Sequence, residues 1–117
     1  MFYYCDSLAS VTIPDSVIVI DTRAFSNCTQ LKSVTIPDSV TAIGNSAFSN
    51  CKGLTSVTIP DSVTSIALEA FSHCTNLNKI SLSNSNCNIA STAFKSCSNV
   101  VFNLPSGAKV LDYRTTL

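Results

Sequence analysis

Cys28-Thr29-Gln30-Leu31-Lys32-Ser33-Val34-Thr35-Ile36-Pro37-Asp38-Ser39-Val40-Thr41-Ala42-Ile43-Gly44-Asn45-Ser46-Ala47-Phe48-Ser49-Asn50 is followed at once by a near copy of itself, Cys51 to His73. Cysteine recurs every 23 residues, at Cys5, Cys28, Cys51, Cys74 and Cys97, and Leu, Val, Ile-Pro, Ile and Ala-Phe recur with it. A fixed period of this length marks supersecondary units that bury their apolar faces only by stacking. The fold therefore follows from one repeat and its neighbours.

Within Leu31 to Ile36, apolar and polar residues alternate with a period near two and a β-branched bias, which predicts a short half-buried strand. Pro37 ends it, because proline cannot donate to a ladder. Pro-Asp-Ser then favours a tight turn, with the Asp and Ser side chains expected to cap nearby amides. Val40 and Ile43 point back inward, Gly44-Asn45 turns the chain, and Ala47-Phe48 is expected on a single helical or 3₁₀ turn. Stacked copies, about 4.8 Å apart, place like residues in columns. These are Leu8/Leu31/Leu54/Leu77, Val11/Val34/Val57/Ile80 and Ile13/Ile36/Ile59/Leu82 on the strand side. Val17/Val40/Val63, Ile20/Ile43/Ile66/Ile89, Ala24/Ala47/Ala70/Ala93 and Phe25/Phe48/Phe71/Phe94 complete the core. The last coils decay: Ser83-Asn84-Ser85-Asn86 replaces Pro-Asp-Ser-Val, losing an inward valine, and the strand segment around Val100–Pro105 is one residue short. Residues 1–117 are thus read as one domain, with repeats starting near 5, 28, 51 and 74 and an irregular cap over 97–117.

Composition narrows the functional classes. The 117 residues carry a formal net charge of zero and only 12% charged side chains, with no Lys/Arg cluster, which argues against nucleic acid or an anionic membrane surface as partner. Apolar content is 45%, yet no run approaches the roughly 18 residues of a membrane span. No signal-peptide pattern is visible, and Met1-Phe2 falls one period before Ala24-Phe25, so the chain is read as starting inside a repeat.

The unit resembles the BspA-type, or treponemal, leucine-rich repeats through Leu31-x-x-Val34-x-Ile36-Pro37, Ile43, Ala47-Phe48 and Cys51, and the same set one period on. The resemblance covers about residues 1–97. It implies a mainly β, right-handed leucine-rich-repeat solenoid with a parallel sheet on the concave face. It also implies surface-exposed or secreted proteins that act in adhesion or host-protein binding, with no catalytic motif to transfer.

No residue set announces a reaction, a cofactor or a metal. The cysteine ladder lacks close ligand pairs, and parallel side chains in one column hold β-carbons wider apart than the roughly 3.8 Å of a disulfide. The periodic thiols are therefore read as small buried hydrophobes, and Cys87, off the ladder, as the exposed or reactive one. His73 occupies the column of Asn27 and Asn50 and reads as a turn residue, not a catalytic base. Asp15, Asp38 and Asp61 form a carboxylate column that turn capping accounts for without an ion. Asn27-Cys28-Thr29 is a formal glycosylation sequon read as chance.

What remains is the outward face of the strands. Lys32, Ser33, Thr35, Thr55, Ser56, Thr58, Asn78, Lys79 and Ser81 form a hydroxyl-rich strip, read as the candidate surface for a protein partner. A carbohydrate- or ice-surface-binding role for the Ser-Val-Thr rows is the alternative; an ice-like lattice needs a flat regular face. At the other extreme of the chain, the aromatic Met1-Phe2-Tyr3-Tyr4 and the first strand, around Leu8–Ile13, are expected to favour self-association or fraying.

Overall fold

The computed structural model describes residues 9–84, 86–97 and 100–103, the last three as backbone. Nine short strands run through them in chain order: β1 (Ser10–Thr12), β2 (Val19–Ile20), β3 (Ser33–Thr35), β4 (Ala42–Ile43), β5 (Ser56–Ile59), β6 (Ser65–Ile66), β7 (Lys79–Leu82), β8 (Asn88–Ile89) and β9 (Val101–Asn103). The odd-numbered strands form a front wall and the even-numbered ones a second wall, and every pairing is parallel. Each pairing joins equivalent positions one period apart, as in Val11↔Val34, Ile43↔Ile66 and Ile59↔Leu82. The fifth coil is the exception: Lys79 pairs with Val101, 22 residues on, because its strand segment is one residue shorter. Parallel strands joined by crossovers take the right-handed sense that strand twist favours.

The second wall is a four-stranded sheet, β2-β4-β6-β8, that the sequence pattern did not announce as strands. Two residues per coil suffice because identical backbones recur at the same height. Between Ile43 and Cys51 the chain makes successive i→i−3 turns, Ala47 N–H to Gly44, Ser49 N–H to Ser46 and Cys51 N–H to Phe48. These are the expected single turns. They do not lengthen into a helix, because Ser46 and Asn50 sit in the left-handed region at φ 57° and 61°. The alternate N–H groups, of Ser46, Phe48 and Asn50, instead donate to Leu68, Ala70 and Ser72 of the next coil. A third wall is thereby stitched by backbone bonds from each coil to the next.

The core is the set of columns expected. Phe25, Phe48, Phe71 and Phe94 stack with centroids 5.1–5.3 Å apart and rings within 7° of parallel. Leu31, Leu54 and Leu77 are fully buried beside them, as are Ile43, Ile66 and Ile89. Leu8 and Cys5 lie outside the described residues. At the first described coil Val11 and Val17 are only half-buried, and an apolar recess of ≈450 Å³ opens there beside Ile13 and Ile20.

Two places depart from perfect repetition. The front wall is divided: β1-β3 and β5-β7-β9 are separate sheets, and the bond across the seam, Thr55 N–H to Lys32 O, is long at 3.4 Å. Val34 and Ile36 keep 9% and 7% of their surface exposed, against 2% and 0% for Val57 and Ile59 one coil on. The other departure is Cys87. It was expected to be exposed, yet it is 1% exposed. The fourth coil turns one residue late, so Cys87 N–H bonds the Asn84 carbonyl as Val63 N–H bonds that of Pro60. Cys87 thus fills the inward slot of Val17, Val40 and Val63, and the valine thought lost is replaced.

Candidate partner-binding face

The nine residues of the predicted strip lie together on the outer surface of the front wall. Lys32, Ser33, Thr35, Thr55, Ser56, Thr58, Asn78 and Lys79 are exposed, and Ser81 is half-buried. They share one face because strand side chains alternate: Val34, Val57 and Ile80 point inward between them. Register then aligns Ser10 with Ser33, Thr12 with Thr35, Ser56 with Lys79 and Thr58 with Ser81.

None of these nine side chains has a hydrogen bond or an ion pair within the described residues. The contrast with the second wall is informative. There Thr41 and Thr64 donate their hydroxyls to the carbonyls of Ile18 and Thr41, at 3.3 and 3.2 Å. Thr41 and Thr64 are thus bonded internally, whereas Thr35, Thr55 and Thr58 on the front wall have no hydrogen bond among the described residues. In the third wall some side chains bond one another: Ser49 and Ser72 share a bond of 3.1 Å, and Asn27 and Asn50 reach Ser26 and Ser49.

Charge is divided across the face. Lys32 and Lys79 stand at the start of their strands, while Asp38 and Asp61 follow the strand ends. The carboxylates were expected to cap their turns, and they do not. Those turns close through the backbone, Val40 N–H to Pro37 and Val63 N–H to Pro60 at 3.1 Å each, so the Asp side chains project outward. Among the described residues it is the substituted fourth coil that caps by side chain, where Asn84 Oδ1 accepts from the Asn86 N–H at 2.8 Å. Beside Asp38 and Asp61, at the seam between β3 and β5, a groove of ≈830 Å³ is lined by Ser33, Thr35, Ser56, Thr58, Ser62 and Ser83 over Val34, Ile36 and Pro60. Nothing in the sequence marks this groove, since the second and third coils, which supply all of its lining but Ser83, are nearly identical.

The other candidates occupy turn and core positions. His73 has φ 59°, is half-buried, and donates its N–H to the Lys95 carbonyl, as Asn50 does to Ser72. Cys28, Cys51, Cys74, Cys87 and Cys97 are buried thiols. The Cys51 and Cys97 thiols, and after them burial, hold Cys74 well above the ordinary thiol range. Burial pushes Cys87 up to about 11. Among the described residues no group of His, Cys, Asp and Glu is placed to hold a metal ion, and no helix is long and apolar enough to cross a membrane.

The chain is similar to known proteins along most of its length. A model of the BspA-type leucine-rich repeat region matches residues 1–115 in six copies. A leucine-rich cell surface protein from Faecalibacterium prausnitzii is 36% identical, with a TM-score of 0.80 over 86% of this chain and 26% of that one. A leucine-rich repeat protein of Bacteroides ovatus is 25% identical, with a TM-score of 0.79 over 91% of this chain and 33% of its own. The Treponema pallidum leucine-rich repeat protein is 28% identical, with a TM-score of 0.75 over 90% of this chain and 61% of its own. This chain therefore spans between a quarter and about three fifths of those proteins. No curated protein matches it. Period, columns, parallel walls and the match along residues 1–115 agree: the chain belongs to the BspA-type leucine-rich repeat family.

Proposed function

We propose that the chain is a non-enzymatic interaction module that binds a protein partner, in adhesion, across the front wall. The observation that carries this reading is the set of hydroxyls, amides and lysines on that wall that make no internal hydrogen bond. A partner laid over them gains many modest bonds without breaking any within the solenoid, which is how extended repeat surfaces bind. The cell surface protein of Faecalibacterium prausnitzii supports a surface setting. Ice-lattice recognition fits this face less well than a protein partner does, because the Ser-Val-Thr rows are divided at the β3/β5 seam and Lys79 stands opposite Ser56.

The test is binding of the immobilised chain to a panel of purified extracellular proteins. A Thr35→Arg/Thr58→Arg variant is compared with an Asn45→Arg/Thr75→Arg variant, whose changes lie on exposed positions away from the front strands. Loss of a binder in the first variant alone supports the reading; equal binding by both variants refutes it.

End-to-end pairing is a second contact that one observation favours, the apolar recess at the first described coil. For this 117-residue chain, sedimentation over a concentration series is expected to show reversible association, and Val11→Lys is expected to abolish it. A monomer at all concentrations would rule the contact out.

A further inference from the structure

The second and third coils are held together unevenly. On the second wall they share the β4–β6 ladder, flanked by Thr64 N–H to Thr41 O at 2.8 Å and Ala67 N–H to Ile43 O at 3.0 Å. On the third wall Ser46, Phe48 and Asn50 donate to Leu68, Ala70 and Ser72 at 3.0, 2.7 and 2.8 Å. On the front wall no ladder joins β3 to β5. Thr55 N–H reaches Lys32 O at 3.4 Å, whereas the equivalent bond is 2.8 Å one coil earlier, Lys32 to Ala9, and 2.9 Å one coil later, Asn78 to Thr55. The bond from Ile13 N–H to Thr35 O has no counterpart from Ile36 to Thr58 among the described residues. Burial shows the same gap from within: Val34 and Ile36, which face the core, keep more surface exposed than Val57 and Ile59.

We infer that this seam is the moving side of a hinge. The first two coils tilt as one body against the third and fourth, about the second and third walls, so that the front wall parts or closes between β3 and β5. A stack bonded tightly on two sides and loosely on the third tilts about the bonded sides, because that motion disturbs their bonds least. The ≈830 Å³ groove admits water at the parted side, so an unmade backbone bond there is exchanged for one to solvent at a small net difference. Few bonds and thinner apolar cover are the marks of a region that opens locally while its surroundings stay folded. Ser33 and Thr35 stand on one lip, Ser56 and Thr58 on the other, so the tilt sets the spacing between two halves of the hydroxyl strip. A partner that bonds both lips favours one tilt and shifts the population toward it. The motion itself does not depend on the protein-binding reading of this face.

The test follows the whole isotope-labelled chain, without any partner, by relaxation dispersion and native-state hydrogen exchange. Hinge motions fall on the microsecond-to-millisecond scale that dispersion detects. Exchange broadening is expected at the amides of Val34, Ile36, Thr55 and Thr58, and not at those of Ile43, Ile66 or Ala70. After correction for intrinsic rates, the Thr55 amide is expected to exchange at least tenfold faster than that of Thr64, an exposed threonine bonding the same two coils on the second wall. Flat dispersion at the four seam amides, dispersion of equal size on the second wall, or equal exchange of Thr55 and Thr64 would overturn the proposal. Because no binder enters the measurement, its outcome stands apart from that of the binding panel.

Discussion

The Sγ of Cys51 donates a hydrogen bond to the carbonyl oxygen of Phe25, 26 residues earlier, at 3.2 Å. Cys74 repeats this to Phe48 at 3.1 Å and Cys97 to Phe71 at 3.0 Å. Each thiol thereby reaches one coil back to the turn beneath it, satisfying a carbonyl at the centre of the third wall. The Phe25 and Phe48 carbonyls also accept the backbone N–H of Cys28 and Cys51, so the thiol supplies a second donor that a methyl group filling the same space would not. The five described thiols are therefore expected to resist a disulfide-exchange reagent in the native protein and to react together on unfolding. Labelling followed by mass spectrometry checks this; rapid modification of Cys87 under native conditions would contradict its burial.

Alkaline conditions probe the same groups. The Cys87 thiol ionises near 9.0 when unperturbed and about 11 in the fold, through burial. A folded-state value above the unfolded one means the unfolded chain releases its proton first. The stability tied to the neutral thiol is fully present below pH 9.0 and is lost as pH rises toward about 11. Urea unfolding across that window should show a falling midpoint. Cys87→Val, which restores the residue of the three earlier coils, should reduce the slope, with Cys74 supplying what remains.

Phe48 sits between Phe25 and Phe71 with no exposed surface, whereas Thr35 faces solvent. Phe48→Ala is expected to cost about 3–5 kcal/mol, as core aromatic truncations do. Thr35→Ala is expected to stay within about 0.5 kcal/mol. Denaturant midpoints of the two variants decide the matter, and similar costs would mean that the columns are misassigned.

Gly44 offers a test of how closely two coils approach. A Cβ there would meet the Ile20 carbonyl oxygen at 2.8 Å and the Thr22 nitrogen at 2.9 Å, both backbone atoms. The equivalent positions one and two coils on are Ala67 and Ala90. Gly44→Ala should therefore destabilise the fold by about 1–3 kcal/mol through overpacking. A neutral or stabilising result in thermal unfolding would show that the first two coils can separate freely.

The sequence by itself determined the period, the parallel in-register pairing and the core columns of the described residues, except that Cys87 joins the column of Val17, Val40 and Val63. It also placed the nine polar residues on one face. Those features follow from the alternation within Leu31 to Ile36 and from exact recurrence, both of which are local and additive. Only the tertiary structure decided where repetition is imperfect. Cys87 moved inward because a turn lacking its proline closes one residue later. The Asp38 and Asp61 carboxylates stayed free because a backbone bond had already closed their turns. The seam between β3 and β5, and with it the groove and the unpartnered Ser62 hydroxyl, separates two coils whose sequences are nearly the same. Hydrogen-bonded pairing changes with a few tenths of an ångström between strands, and that separation is set jointly by the packing of three walls. No single repeat encodes it.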